Sequence, residues 1–111
     1  MLYVNEDNSI QLTRGDTARI SVSIINDMTD TEYEMTESSK LTLTIKKHET
    51  DSQPLVKKVL TGSTNFHILP YDTKKLSFGK YVYDVELVTE SGDVYTIIGP
   101  STFEILKEVT W

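Results

Sequence analysis

The residues with chemical potential in this chain are few. His48 and His67 are the only imidazoles, and there is no cysteine. A Ser-His-acid site needs a hydroxyl beside one imidazole and a buried acid behind it, and no strand-turn-helix elbow of the G-x-S-x-G kind occurs. Without thiols, disulfides, thiolate metal sites and cysteine nucleophiles are excluded. Asp27, Asp30, Glu32 and Glu34 crowd one polar stretch, with Asp7 and Glu37 as further oxygen donors. Oxygen ligands at short spacing can hold calcium, but this spacing matches no calcium loop and lacks the glycine a sharp turn around an ion needs. Asp84 and Glu86 pair two carboxylates on one strand face, a spacing any wet strand face produces, with no aromatic sugar platform beside them. Arg14-Gly15-Asp16 spells the tripeptide that integrins recognise; as local structure it is a turn leading into a strand. The expectation is a domain with no catalytic, cofactor-binding or metal residues, and no enzyme.

The elements that carry these residues are strands. Lys80–Thr89 sets Tyr81, Tyr83, Val85 and Leu87 at period two, with Asp84 and Glu86 between them, so one face is buried and one wet. Glu90-Ser91-Gly92 interrupts it, and Asp93–Ile98 follows, β-branched and aromatic. A two-residue turn would oppose Glu90 and Asp93, like charges that destabilise a pair. A three-residue loop with Gly92 in the left-handed conformation avoids this. That register pairs Leu87 with Tyr95 and Val85 with Ile97, all four facing the core.

Around this hairpin the alternation repeats. Leu2–Leu12 reads as an edge strand or two short ones. Thr17–Ile25 alternates Ala18, Ile20, Val22 and Ile24 against polar residues, and Lys40–Lys47 does the same with Leu41, Leu43 and Ile45. Asn26–Ser39 is a polar loop with room for a short strand at Glu32–Met35. Pro54–Leu60 and Asn65–Leu69 are shorter strands. Asp72–Leu76 forms a single helical turn, with Asp72 as N-cap and Gly79 ending it. Gly99-Pro100 breaks the final strand, which restarts with Phe103 and Ile105, so a bulge bends it or moves it to another sheet.

At 111 residues the chain makes one domain, residues 1–111, and buries roughly 65% of its unfolded surface. Its net charge of −6 argues against nucleic acid or an anionic membrane as partner. No apolar run reaches membrane-spanning length. The acidic N-terminal residues do not read as a signal peptide, so folding in a cytoplasm is expected.

Strands at regular spacing favour an all-β, immunoglobulin-like antiparallel sandwich of seven to eight strands. In such folds a tyrosine opening the penultimate strand bonds back across a corner. Tyr81, with Gly79 and Asp72, supplies that corner. Tyr71, Phe78 and Trp111 are aromatics available as partner contacts.

With these residues in view, the chain resembles the small immunoglobulin-like domains of phage and prophage tails and baseplates of Gram-positive bacteria. It is similar to the N-terminal domain of the baseplate upper protein. The resemblance rests on Ile10-x-Leu12-x-Arg14-Gly15-Asp16-Thr17 and on Leu69-Pro70-x-Asp72-Thr73-x-x-Leu76-x-x-Gly79-x-Tyr81-x-Tyr83-Asp84-Val85. Thr96-Ile97-Ile98 and Phe103-x-Ile105-x-x-Glu108-Val109-Thr110 complete it. It implies a virion structural protein assembled in the host cytoplasm, an adaptor or accessory domain without cofactor. Its partners would be other phage structural proteins or further copies of itself. Longer relatives continue into a coiled coil or receptor-binding region where this sequence reaches Trp111, which points to an accessory domain. The alternative is a cell-surface or secreted module binding carbohydrate or protein.

Overall fold

The computed structural model of the chain describes residues 2–4, 7–26 and 29–108. The strands, in chain order, are β1 (Leu2–Val4), β2 (Ile10–Thr13), β3 (Ala18–Ser21), β4 (Ile25–Asn26), β5 (Thr31–Glu32) and β6 (Lys40–Lys46). β7 (Val56–Thr61), β8 (Asn65–Ile68), the one-turn helix α1 (Pro70–Lys74), β9 (Gly79–Val88) and β10 (Val94–Leu106) follow. The main sheet has the order β1-β2-β10-β9-β6-β7; β3-β8 and β4-β5 are two-stranded sheets.

The fold is an all-β sandwich. Period-two patterning explains its layers, because alternate residues of each strand turn to a common core. Ile10 and Leu12 of β2, Leu41, Leu43 and Ile45 of β6, and Tyr81, Tyr83, Val85 and Leu87 of β9 are all buried. They meet Ala18 and Ile20 of β3, continued by Val22 and Ile24, and Phe66 and Ile68 of β8. Phe103 and Ile105 of β10 complete the interior, with the Tyr83 and Phe103 rings edge to face at 6.0 Å. Offset and edge-on contacts are the geometry aromatic quadrupoles favour.

The expected antiparallel sandwich of seven to eight strands needs two corrections. Ten strands are described, and β2 runs parallel to β10, Ile10 opposite Phe103 and Leu12 opposite Ile105. The parallel pair follows from β2 and β10 lying far apart in sequence, so no hairpin turn constrains their direction. The N-terminal segment is two short strands, β1 folding antiparallel onto β2. In the polar loop the paired strands are Ile25–Asn26 and Thr31–Glu32 rather than Glu32–Met35.

Thr89 and Asp93 are joined by a backbone bond beyond the ends of β9 and β10, which leaves a three-residue loop, 90–92. The Gly92 N–H donates to Thr89 O and the Thr89 N–H to Asp93 O, both at 2.9 Å, with Gly92 at φ 91°. Leu87 lies opposite Tyr95, but Val85 lies opposite Ile98 rather than Ile97. Register shifts between Thr96 and Ile98, and again before Ser101, absorb extra residues in β10. The second irregularity spans Gly99-Pro100, and β10 stays paired with β9 on both sides of it, so the strand does not move to another sheet. The expected inward placement of Tyr95 fails: it is 53% exposed, and Ile97 is only partly buried.

Candidate functional site

Polar and aromatic groups gather at the corner joining β8 to β9. Pro70 opens α1 at its first position, where a missing N–H costs nothing. Leu69 is the N-cap, in an extended conformation, and the helix stops at Lys75. Asp72 is therefore not the N-cap. It sits at the third helical position, and its carboxylate accepts the Leu69 N–H at 2.7 Å. That is the returning half of a capping box, possible because a carboxylate three residues inside the helix reaches back to the orphan donor. Gly79 does not end the helix; it opens β9 at φ 138°, backbone that L side chains rarely adopt.

Asp72 is 4% exposed and pairs with Lys58 of β7 at 2.7 Å. Thr73 beside it is fully buried, and its hydroxyl accepts the Gly15 N–H at 2.8 Å. Tyr81 is 5% exposed and donates its hydroxyl to Ser77 O at 2.6 Å. A tyrosine at the start of the penultimate strand, bonded to backbone four residues upstream, is the corner of immunoglobulin-like sandwiches. Lys47 lies over its ring at 4.6 Å. Tyr71 and Phe78 flank this corner from outside, 63% and 50% exposed, with Lys58 near the first ring and Lys107 near the second. Trp111 lies outside the described residues.

The Arg14-Gly15-Asp16 turn is folded onto the same end. Its Asp16 N–H donates to Thr13 O, and the Arg14 guanidinium donates to Lys74 O and to Glu108 Oε1, the latter at 2.9 Å. Glu108 is 8% exposed. The arginine is engaged in holding the β3 approach, α1 and the end of β10 together, the opposite of a free loop tip. No periodicity announces this clasp, because its members are 60 and 94 residues apart.

The remaining candidates stay dispersed. His48 and His67 are exposed, His67 on β8 opposite Arg19. Asp84 and Glu86 lie on the outer face of the main sheet near Thr42, Thr44, Lys46 and Lys57. Asp30, Glu32, Glu34 and Glu37 are all exposed, and Asp27 lies outside the described residues. Among the described residues no group of three or more His, Asp or Glu side chains could hold a metal. Every buried side-chain nitrogen or oxygen among them has a hydrogen-bond partner, so none is left aimed at a ligand.

Among the described residues Tyr83 is the one strongly perturbed group. Burial, and secondarily the charge of Asp7, push its phenol up to about 12. Its hydroxyl donates to Asn8 O, tying the β2 approach to β9. Asp7 is held below the usual carboxylate range by the Ser9 hydroxyl and N–H. These contacts fasten the segment before β2 to β9. Comparison with known proteins finds no matching family model and no matching curated protein.

Proposed function

We propose that this chain is a non-enzymatic structural domain of a phage or prophage particle, an adaptor or accessory piece of the tail or baseplate. The observation that carries the reading is the run Leu69–Tyr81, part of one of the pieces on which the resemblance to those domains rests. It forms one hydrogen-bonded corner around Asp72, Thr73 and Tyr81, leaving Tyr71 and Phe78 outside it. Polar groups are consumed internally and aromatic surface is turned outward. That division suits a part that binds by shape, since exposed aromatics anchor interfaces and satisfied buried polar groups stiffen a scaffold.

The partners under this reading are other structural proteins of the particle, bound without cofactor, nucleic acid or membrane. The test is to induce the prophage, purify particles and look for the chain by mass spectrometry. Its presence at a fixed ratio to the tail proteins is expected. Reproducible absence from intact particles, together with presence on the host cell wall, overturns the reading in favour of a surface-binding module.

A further inference from the structure

The ionic groups are sorted along the long axis of the molecule, which measures 46 Å against 27 and 24 Å across. Lys40 pairs with Val88 and Lys46 with Val82, so the loop before β6 and the β9–β10 loop share one end of the main sheet. A 3.3 Å hydrogen bond from Thr36 Oγ1 to Glu90 Oε2 joins them. That end exposes Asp30, Glu32, Glu34, Glu37, Glu90 and Asp93, with Lys40 the described cation beside them. The α1 end exposes Lys47, Lys74, Lys75, Lys80 and Lys107. Acids stand there as well: Asp72 and Glu108 are ion-paired with Lys58 and Arg14, Asp51 and Glu104 bond to neutral groups with Glu104 opposite Lys80, and Asp16 lies in the adjoining turn. Glu49 turns over the sheet face beside Val82 and Pro100. A chain of net charge −6 therefore carries one strongly anionic end and one end with a modest excess of lysine over acid.

Each end also exposes apolar surface. Tyr71 and Phe78 stand among the lysines; Val94, Tyr95 and Ile25 stand near the acids, each at least half exposed. An apolar centre rimmed by charge is the anatomy of a contact surface, and the two rims have opposite sign.

We propose that copies of this chain associate head to tail, the α1 end of one against the β9–β10 loop end of the next. A second copy is the occupant because each end supplies the charge the other lacks. Two like ends would repel, which disfavours a two-fold contact through either of them. An end of 27 × 24 Å offers on the order of 600 Å² a side, near the lower bound of about 1,200 Å² in total for a specific interface. The contact is accordingly weak and salt-sensitive. Being heterologous, it closes into a ring or runs on as a filament. It stands apart from the phage reading and holds for any copy number the particle uses.

Sedimentation velocity across a hundredfold concentration range, at low and high salt, tests it. The wild-type chain is expected to grow in mass with concentration at low salt and to dissociate as salt rises. Lys80→Glu with Lys107→Glu gives a chain with two anionic ends; Glu32→Lys, Glu34→Lys, Glu37→Lys and Glu90→Lys together give one with two cationic ends. All six positions are exposed, and circular dichroism with melting checks that both variants fold. Each variant alone should be monomeric, and an equimolar mixture should associate again. A wild-type chain that stays monomeric at low salt overturns the proposal, as does association that survives either reversal. Those results leave the particle assignment standing, which mass spectrometry of purified particles judges separately.

Discussion

The long β9–β10 hairpin is two different ribbons laid end to end. Near the corner, Tyr81, Tyr83, Phe103 and Ile105 are all at most 5% exposed. Near the loop, Val94 and Tyr95 are more than half exposed, although Tyr95 sits directly opposite the buried Leu87. The two halves have the same kind of sequence, β-branched and aromatic residues in alternation. They differ in what lies around them: β2 flanks β10 only along Phe103–Leu106, and two irregularities interrupt the register beyond it. Alternation therefore marks a face that can be buried, and neighbouring strands decide how much of it is.

The largest contrast should come from truncating one ring in each half. Phe103→Ala removes a fully buried ring and should cost about 3–5 kcal/mol. Tyr95→Ala should stay within about 0.5 kcal/mol, as for most exposed positions. Urea midpoints at unchanged slope measure both, and comparable losses would erase the distinction.

A smaller difference separates the phenols in alkali. Tyr83 keeps its proton up to about 12 in the folded state against about 10 unfolded. The native chain thus binds more protons through that window. The stability this group contributes is complete below about pH 10 and is lost as pH rises toward 12, on the order of 2 kcal/mol. Ultraviolet-difference titration should show one tyrosine ionising well above the ordinary phenol range. Tyr83→Phe should flatten the alkaline fall.

Next in size is the corner hydroxyl. Tyr81→Phe leaves Ser77 O without its donor and should cost about 1–2 kcal/mol. Tyr95→Phe should leave the denaturation midpoint where it was. A corner variant as stable as the parent would mean that the Tyr81 hydroxyl bond adds nothing.

The smallest effect belongs to the loop end. Gly92→Ala puts a Cβ into open space, but at φ 91°, and should cost about 1 kcal/mol through backbone strain alone. Gly99→Ala, with no atom within 4 Å of the added carbon and no positive φ, should be close to neutral. Hydrogen exchange should show the Gly92→Ala effect confined to the loop half, leaving protection around Phe103 intact.

Local order determined much of this molecule. Period-two runs identify most of the strands, because alternation can bury one face of a strand and nothing else. Like-charge avoidance between Glu90 and Asp93 selects the three-residue loop, and the approach to Tyr81 marks the corner. Tertiary structure decided the rest. The parallel β2–β10 pair, the slip that sets Ile98 opposite Val85, and the exposure of Tyr95 depend on strands distant in sequence. Asp72 works from the third helical position because Pro70 starts the turn earlier than an acidic N-cap would. Arg14 is folded inward because Glu108 and Lys74 happen to arrive beside it. The sorting of charge between two ends exists only once β6, β9 and α1 are aligned along one axis. Such features are differences in distance between remote residues, and no spacing along the chain encodes them.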